Sequence, residues 1–527
     1  MKTKVILFAW LFASLMTQAQ TLVVSGPQTG VWDADTVRVV GDVTVVDSLS
    51  IVRPGALVLF DRFFKVTVAN GASFVAQGAE NDSIRFTVAD TTGISVYNSP
   101  KGGWNGFHLD KAGKVRFDYC VLEYAKASDT TDMSGGAMNI YYCDDVEILH
   151  STLRCNGARE NGGAVNALNS HVVMTDCHVD DNWMFTDDNL YFRYGGALRF
   201  LKCDVELRLM EFLRNQGEGC IGGALSLDSC TVVLDRAVFA NNVGVNGAGL
   251  YMMRSNHLEG RLSNLVFDSN TSRHFGGGLA FSDTSPEVYN ILVTNNVSEG
   301  VTCTGIFFYQ YSSPKLTNCI IYGNYPRLEA IQSDTIQMWL WTFDDYAPEF
   351  RNCLIQNGTR HITNADYIKV FDDIVTTDPL FVDAEHHDFH LSEESPCRDA
   401  GNTDVPDDLA EGFDLGWTTR VSNGRIDIGP YEYSAASLPF QFEFAKNARI
   451  VGNPLNAKSR IVFDREMSGD LAVTLYSLAG RQVAQQVFSL GKSTSLEIGS
   501  LVERLTPGVY LIEVTSDAGS FTLKAVR

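Results

Sequence analysis

One pattern of apolar and polar positions returns through the middle of the chain. An apolar residue, two variable residues and an Asn occur at Leu153–Asn156, Val179–Asn182, Phe212–Asn215, Phe239–Asn242, Phe267–Asn270, Val293–Asn296 and Ile321–Asn324. The Asn residues are spaced by 26, 33, 27, 28, 26 and 28 positions. A small-residue turn follows each, as at Gly162-Gly163-Ala164, Gly195-Gly196-Ala197, Gly222-Gly223-Ala224, Gly247-Ala248-Gly249 and Gly276-Gly277-Gly278. Short alternating apolar runs come next, such as Val232 and Leu234. The period lacks the spacing of helix-pair solenoids. It predicts a parallel β-helix in which each coil is one turn of three short strands. Stacking then brings equivalent residues to about 4.8 Å. Asn156, Asn182, Asn215, Asn242, Asn270, Asn296 and Asn324 are expected to form a hydrogen-bonded ladder up one corner. Gly at the next corner permits the positive φ of a tight bend.

Cysteine positions follow the same register. Cys143, Cys203 and Cys230 each stand six residues after the Ala of a small-residue turn, and Cys177, Cys319 and Cys353 share a second site before the strand that leads to the Asn. Cys203 with Cys230, and Cys319 with Cys353, are candidates either for disulfides or for stacked buried thiols, and spacing is compatible with both. The runs between residues 37 and 110 read as irregular first coils.

The ends are different. Lys2 and Lys4 precede the apolar stretch Val5 to Met16, and Thr17-Gln18-Ala19 suits cleavage before Gln20. Residues 1–19 therefore read as a signal peptide, too short to span a bilayer. The chain of 527 residues has a net charge of −22. Residues 446–527 carry 10 Lys+Arg against 7 Asp+Glu, or +3, so the remainder carries −25. Such a step predicts a separate C-terminal module. The acidity argues against nucleic acid as a partner. The expected organisation is a β-helix over 20–375, a closing segment over 376–434, a linker over 435–445 and a small β-sandwich over 446–527.

The repeat resembles the right-handed parallel β-helices of the pectate-lyase-like superfamily. Phe212–Asn215 with Gly222–Leu225 also resembles the repeats of polymorphic outer-membrane adhesins. Asp378-Pro379-Leu380-Phe381, Ser395-Pro396-Cys397-Arg398-Asp399-Ala400-Gly401 and Asp427-Ile428-Gly429-Pro430-Tyr431-Glu432-Tyr433 resemble the choice-of-anchor segments that close many secreted bacterial β-helices. That segment is expected to cap the open end of the solenoid. Asn453-Pro454, Gly480-Arg481, Gly508, Tyr510 and Lys524 lie in a stretch similar to the C-terminal sorting domain of type IX secretion substrates. This resemblance implies export by that machinery from a Gram-negative cell, removal of the domain, and attachment to surface lipopolysaccharide.

The chemistry expected of a β-helix enzyme is not legible. The His-Gly and Arg-Ile-Lys elements of polygalacturonases are absent, as are the Trp-x-Asp-His and Arg-x-Pro-x-x-Arg signatures of pectate lyases. A lone acidic pair such as Asp187-Asp188 supplies too few oxygens for calcium, so no cofactor is assigned, with calcium at such a pair kept as the alternative. Coil length is more informative. From each Asn to the next small-residue turn the count is 13 after Asn182 and 13 after Asn324, but 5 to 7 elsewhere. The first insertion holds Trp183, Phe185, Asp187, Asp188, Tyr191 and Tyr194, and the second leads into Trp339 and Trp341. Aromatics beside carboxylates suit an extracellular glycan or a host surface. The sequence thus points to a surface adhesin or glycan-binding β-helix. The alternatives are a divergent polysaccharide lyase or hydrolase, and long loops that simply shield the coil flank.

Overall fold

A computed structural model describes residues 20–527, apart from 81, 97–98, 129–132, 186–192, 256–259, 301–302, 328–335, 343–345, 422–423, 434–447, 452–458, 478–481, 503–504, 506–508, 517–518 and 527. From Thr21 to Asp372 the chain winds as a parallel β-helix. Each coil gives one short strand to each of three parallel stacks, here sheets A, B and C. In one coil Phe212 belongs to sheet A, Leu225–Asp228 to B, and residues 231–235 to C; Phe239 then returns to A, directly over Phe212. The register holds without a slip from residue 198 through residue 253 in sheet B.

Alternation along each strand decides what is inside. Leu198, Phe200, Leu225, Leu227, Leu250 and Met252 point inward and are buried. Burial of these rows, at roughly 25 cal/mol per Å² of apolar surface, is the main driving force for stacking the coils. Equivalent aromatics stack face to face along the axis. Phe212, Phe239 and Phe267 have ring centroids 4.4 and 4.8 Å apart with planes inclined by 4° and 10°.

The corners have a rule that the sequence reading did not contain. A single non-glycine residue in the left-handed region makes each of three bends per coil. In one coil these are Ser229, Arg236 and Asn241, with φ of 57°, 53° and 57°. The residue after each bend turns inward: Cys230, Ala237 and Asn242. The glycine bends were anticipated and are present, as at Gly195 and Gly222, with φ of 69° and 76°.

The expected Asn ladder is formed. From Asn182 onward each Asn side-chain oxygen accepts from the backbone N–H and the side-chain amide of the Asn one coil earlier, and Asn156 Oδ1 accepts from Ala125 N. Asn215 N and Nδ2, for example, donate to Asn242 Oδ1 at 3.0 and 2.9 Å, and Asn242 does the same to Asn270 at 3.0 and 2.9 Å. Each amide also donates to a strand-end carbonyl, as Asn242 Nδ2 does to Phe212 O at 2.9 Å. Gln337 ends the series by accepting from Asn324 Nδ2 at 2.7 Å. The ladder residues from Asn156 to Asn296 are fully buried, so they satisfy groups that water cannot reach.

Cysteines occupy the two predicted columns and all eleven are free thiols. Cys203 N lies 3.4 Å from Cys230 Sγ, and Cys319 N lies 3.4 Å from Cys353 Sγ. Ser170 and Ser255 fill the same column on neighbouring coils. The site therefore takes a small side chain that can accept the backbone N–H of the preceding coil. The first coils are already paired in parallel, with irregularities in register. Thr21–Trp32 is already a full turn paired to Thr36–Ile51, with two register shifts.

The closing segment does not sit over an open end. It runs along the flank of sheet A. Phe389, Leu391, Cys397, Leu415, Ile428 and Tyr431 pack on the outward residues Leu213, Val238, Ala240, Val266, Leu292, Ile320 and Leu354. The reason is visible in those outward positions. They are aliphatic where a solvated face would be polar, so the flank needs covering more than the end does. A second Asn column docks the segment. Asn264, Asn290, Asn318 and Asn352 make one bend on successive coils, each with positive φ. Asn290 Nδ2 donates to Gly429 O at 2.9 Å, Asn318 Nδ2 to Asn402 O at 2.9 Å and Asn352 Nδ2 to Ala400 O at 3.2 Å.

The C-terminal unit is a five-stranded antiparallel sheet built from Ala448–Val451, Arg460–Ser477, Gln482–Glu497, Val509–Ser516 and Gly519–Val526. It has its own core around Ile461, Leu471, Val473, Ile512 and Val514. The described strands form one sheet, and the expected sandwich is matched only as an antiparallel β unit.

Candidate functional site

Outward positions on sheet B become aromatic over the last coils. The run Met338–Thr342 alternates Met338 and Leu340 into the core with Trp339 and Trp341 outward. Phe307 and Tyr309 are the partners of those tryptophans one coil earlier. The inner layer of this patch is packed. Phe275 stacks on Phe307 at 4.7 Å and meets Trp339 edge-on at 5.3 Å. The outer layer faces solvent. Trp341 stacks on Trp339 at 5.6 Å with planes 15° apart, and Tyr309 meets Trp341 edge-on at 5.7 Å. Beside them Tyr311 and Tyr346 pack at 5.1 Å. Trp341 is 48 % exposed, Tyr311 44 % and Tyr346 38 %. Tryptophan and tyrosine expose flat apolar faces with polar edges, held on a rigid sheet, which suits stacking on sugar rings.

The first insertion has a different fate. Phe185 is buried, and Arg193 Nη1 donates to its carbonyl. Trp183 lies against Gly157, where any Cβ would come within 2.6 Å of the indole. Trp183 and Phe185 thus pack inward, as loops that shield the flank would. Tyr194 stays half-buried beside Arg199. Asp187, Asp188 and Tyr191 lie outside the described residues. Of the eight sequence candidates the structure places Trp339 and Trp341 in one surface patch. It adds Tyr309, Tyr311 and Tyr346. Tyr309 could have been found from its alternation with Ile306 and Phe308; Tyr346 carries no repeat signal.

A second site lies on sheet C. Tyr289, Lys315, Thr317, Glu349 and Arg351 line a cleft of about 150 Å³, closed on one side by Asn402 and Asp404 of the closing segment. Lys369 contacts Glu349 at 2.9 Å, Arg351 contacts it at 3.2 Å, and Lys315 lies 3.7 Å from Glu287. Carboxylates with cations on adjacent coils are the pattern an enzyme would show. A hydrolase needs one carboxyl held protonated, and Glu349 is held the other way. The hydrogen bond from Lys369 holds the Glu349 carboxyl below its ordinary range.

The carboxyls held above their usual range are in the closing segment, and they are structural. Burial pushes Glu432 up to about 8 and raises Asp414 and Asp427. Glu432 accepts from the fully buried Arg420 at 2.7 Å, and Asp427 accepts from Asp399 N at 2.6 Å. Arg420 also donates to Asn264 on the coils. Among the described residues no group of His, Cys, Asp and Glu is arranged to hold a metal.

In the C-terminal unit, Tyr510 and Lys524 stand on adjacent antiparallel strands. Asn453, Pro454, Gly480, Arg481 and Gly508 lie outside the described residues. No curated protein matches the chain. Residues 450–526 match the family model of the secretion system C-terminal sorting domain, and the chain thereby carries the sorting signal of a type IX-secreted surface protein.

Proposed function

We propose that this protein is an exported surface β-helix whose sheet B binds an extracellular glycan, with residues 446–527 serving for delivery. In this reading residues 1–19 direct export, 20–375 form the binding solenoid, 376–434 strap its flank, and 435–445 link it to the sorting domain. Surface lipopolysaccharide is the attachment point after sorting. The observation that carries the reading is the solvent-facing aromatic patch of Trp341, Tyr309, Tyr311 and Tyr346, anchored on a packed layer of Phe275, Phe307 and Trp339. Exposed aromatics of this kind are costly to leave in water and mark contact surfaces. The test is affinity electrophoresis of the mature chain through gels containing neutral or acidic polysaccharides. Retardation that Trp341→Ala abolishes is the expected outcome; equal mobility in every gel would refute glycan binding.

The second reading is a lyase at the sheet C cleft, favoured by Lys315, Arg351 and Tyr289 on adjacent coils. Release of unsaturated products that Lys315→Ala and Arg351→Ala both abolish would establish it.

A further inference from the structure

The closing segment carries two large aromatic side chains that nothing covers. Phe413 is 47 % exposed and Trp417 51 % exposed, although Leu415 between them is buried in the segment's core. The loop that presents them is closed by its own hydrogen bonds. Arg420 N donates to Gly412 O at 3.0 Å, Asp414 N to Thr418 O at 2.8 Å, and Thr418 N to Asp414 Oδ1 at 2.6 Å. Asp414 is buried, and its second oxygen accepts from Glu432 N at 2.7 Å, which ties the loop to the end of the segment. Trp417 has a φ of 66°. A bulky residue in the left-handed region carries a conformational cost that glycine would not. The loop therefore holds an indole outward at a backbone position that disfavours it. One face of the indole rests on Arg236, whose guanidinium lies 4.8 Å from the ring centroid and whose Nε donates to Asp235 at 3.0 Å. The Phe413 ring stands 6.0 Å away, inclined by 52°. The chain leading to this pair is acidic. Asp407, Asp408 and Glu411 are exposed, and no Lys or Arg occurs between Arg398 and Arg420. Arg261 takes Asp408 at 2.6 Å, whereas Asp407 and Glu411 make no ion pair among the described residues.

We infer that the Phe413–Trp417 loop is a docking site for a basic protein segment, which seats a lysine or arginine on the outer face of Trp417 with Asp407 and Glu411 as its counter-charges. An aromatic face attracts a cation, and carboxylates beside it add charge-assisted hydrogen bonds. Tryptophan is also among the residues that most often anchor protein contacts. A loop already fixed by its own hydrogen bonds loses little freedom when a partner arrives. The same carboxylates repel an acidic glycan. The charge of −25 carried outside residues 446–527 steers cationic partners toward this part of the chain. The site is separate from the aromatic patch of sheet B, because it belongs to the segment that straps sheet A.

The experiment titrates the mature full-length chain, by calorimetry, with octalysine, octaarginine, fully acetylated octalysine and a neutral polysaccharide. The two basic peptides are expected to bind and the acetylated one is not. Trp417→Ala and Glu411→Gln are each expected to weaken octalysine about tenfold. Trp341→Ala, and Asp144→Asn at an exposed acid on the N-terminal coils, are expected to leave it unchanged. No binding of either basic peptide overturns the proposal, as does unchanged affinity in Trp417→Ala. An Asp144→Asn effect as large as that of Glu411→Gln would reduce the binding to overall charge and overturn the site. Retention of the neutral polysaccharide that Trp417→Ala abolishes would overturn the basic segment as the occupant and put a glycan there. Trp417→Gly suits the left-handed backbone, so it is expected to lose binding with no fall in melting temperature. A lowered melting temperature with binding retained would make the indole a prop of the loop and overturn the docking role.

Discussion

The two outer flanks of the solenoid were built from the same coils and ended differently. Sheet A turns Val238, Ala240, Val266, Leu292, Ile320 and Leu354 outward, and the closing segment covers them. Sheet B turns Tyr309 and Trp341 outward on some of the same coils, with Trp341 48 % exposed. Inward positions of both sheets are alike, rows of Leu, Val, Ile and Phe. Only the outward residues differ. Aliphatic side chains have no polar edge and need a cover, whereas Trp and Tyr tolerate water at one edge and offer a face to a ligand. The aliphatic flank is therefore covered along its length, whereas sheet B, whose outward Tyr251, Ala280 and Phe307 are also buried, opens to solvent at Trp341.

Changes beneath both flanks should erase the comparison and cost most. Asn242→Ala removes the acceptor for two donors of Asn215 and strands Phe212 O in the core. We expect a loss of about 3 kcal/mol, read by denaturant unfolding, with both flanks affected. Ile428→Ala should cost about the same in the closing segment but act on one flank alone. Hydrogen exchange should then show residues 376–433 opening separately while the Asn ladder stays protected.

The covered flank should also respond to pH in one direction. His387 gains a proton more readily when docked, because its ring bonds to the buried Asp268 at 2.7 Å. That contribution is complete below the ordinary histidine value, about 6.5, and disappears as pH rises through the raised one. Glu432 points the same way. Burial lifts it to about 8, so the docked state holds a proton that the unfolded chain has already released. Docking should weaken as pH rises from its ordinary value of 4.5 through about 8. Limited proteolysis of residues 376–433 at about pH 5.5 and about pH 8.5 should cut faster at the higher value. The pH effect on cutting should shrink in His387→Asn. The smallest stability effect belongs to the open flank: Trp341→Ala should move unfolding by under about 0.5 kcal/mol, as expected for a surface position outside the core.

Much of this was readable from residues alone because the inner lattice is periodic. The Asn ladder, the Gly bends and the two cysteine columns recur at fixed spacing, and each recurrence has a steric or hydrogen-bonding cause. The route of the closing segment was not readable. Its cue was the second Asn column, Asn264, Asn290, Asn318 and Asn352, which looks in sequence like ordinary turn residues. Its partners are 84 to 139 residues away for Asn290 and Asn318, a separation no local pattern reports. The functional candidates split for a similar reason. Trp339 and Trp341 alternate with core residues, so strand geometry alone sends them outward. Trp183 and Phe185 follow the bend at Asp181, where packing on Gly157 and Arg193 decides their direction.

The most direct test sets the mature chain, Trp341→Ala and Ile428→Ala against one immobilised polysaccharide panel. The account predicts that Trp341→Ala loses binding at unchanged stability, while Ile428→Ala loses stability and keeps binding. Binding that survives Trp341→Ala and fails with Ile428→Ala would contradict it, and would move the contact surface to the strapped flank.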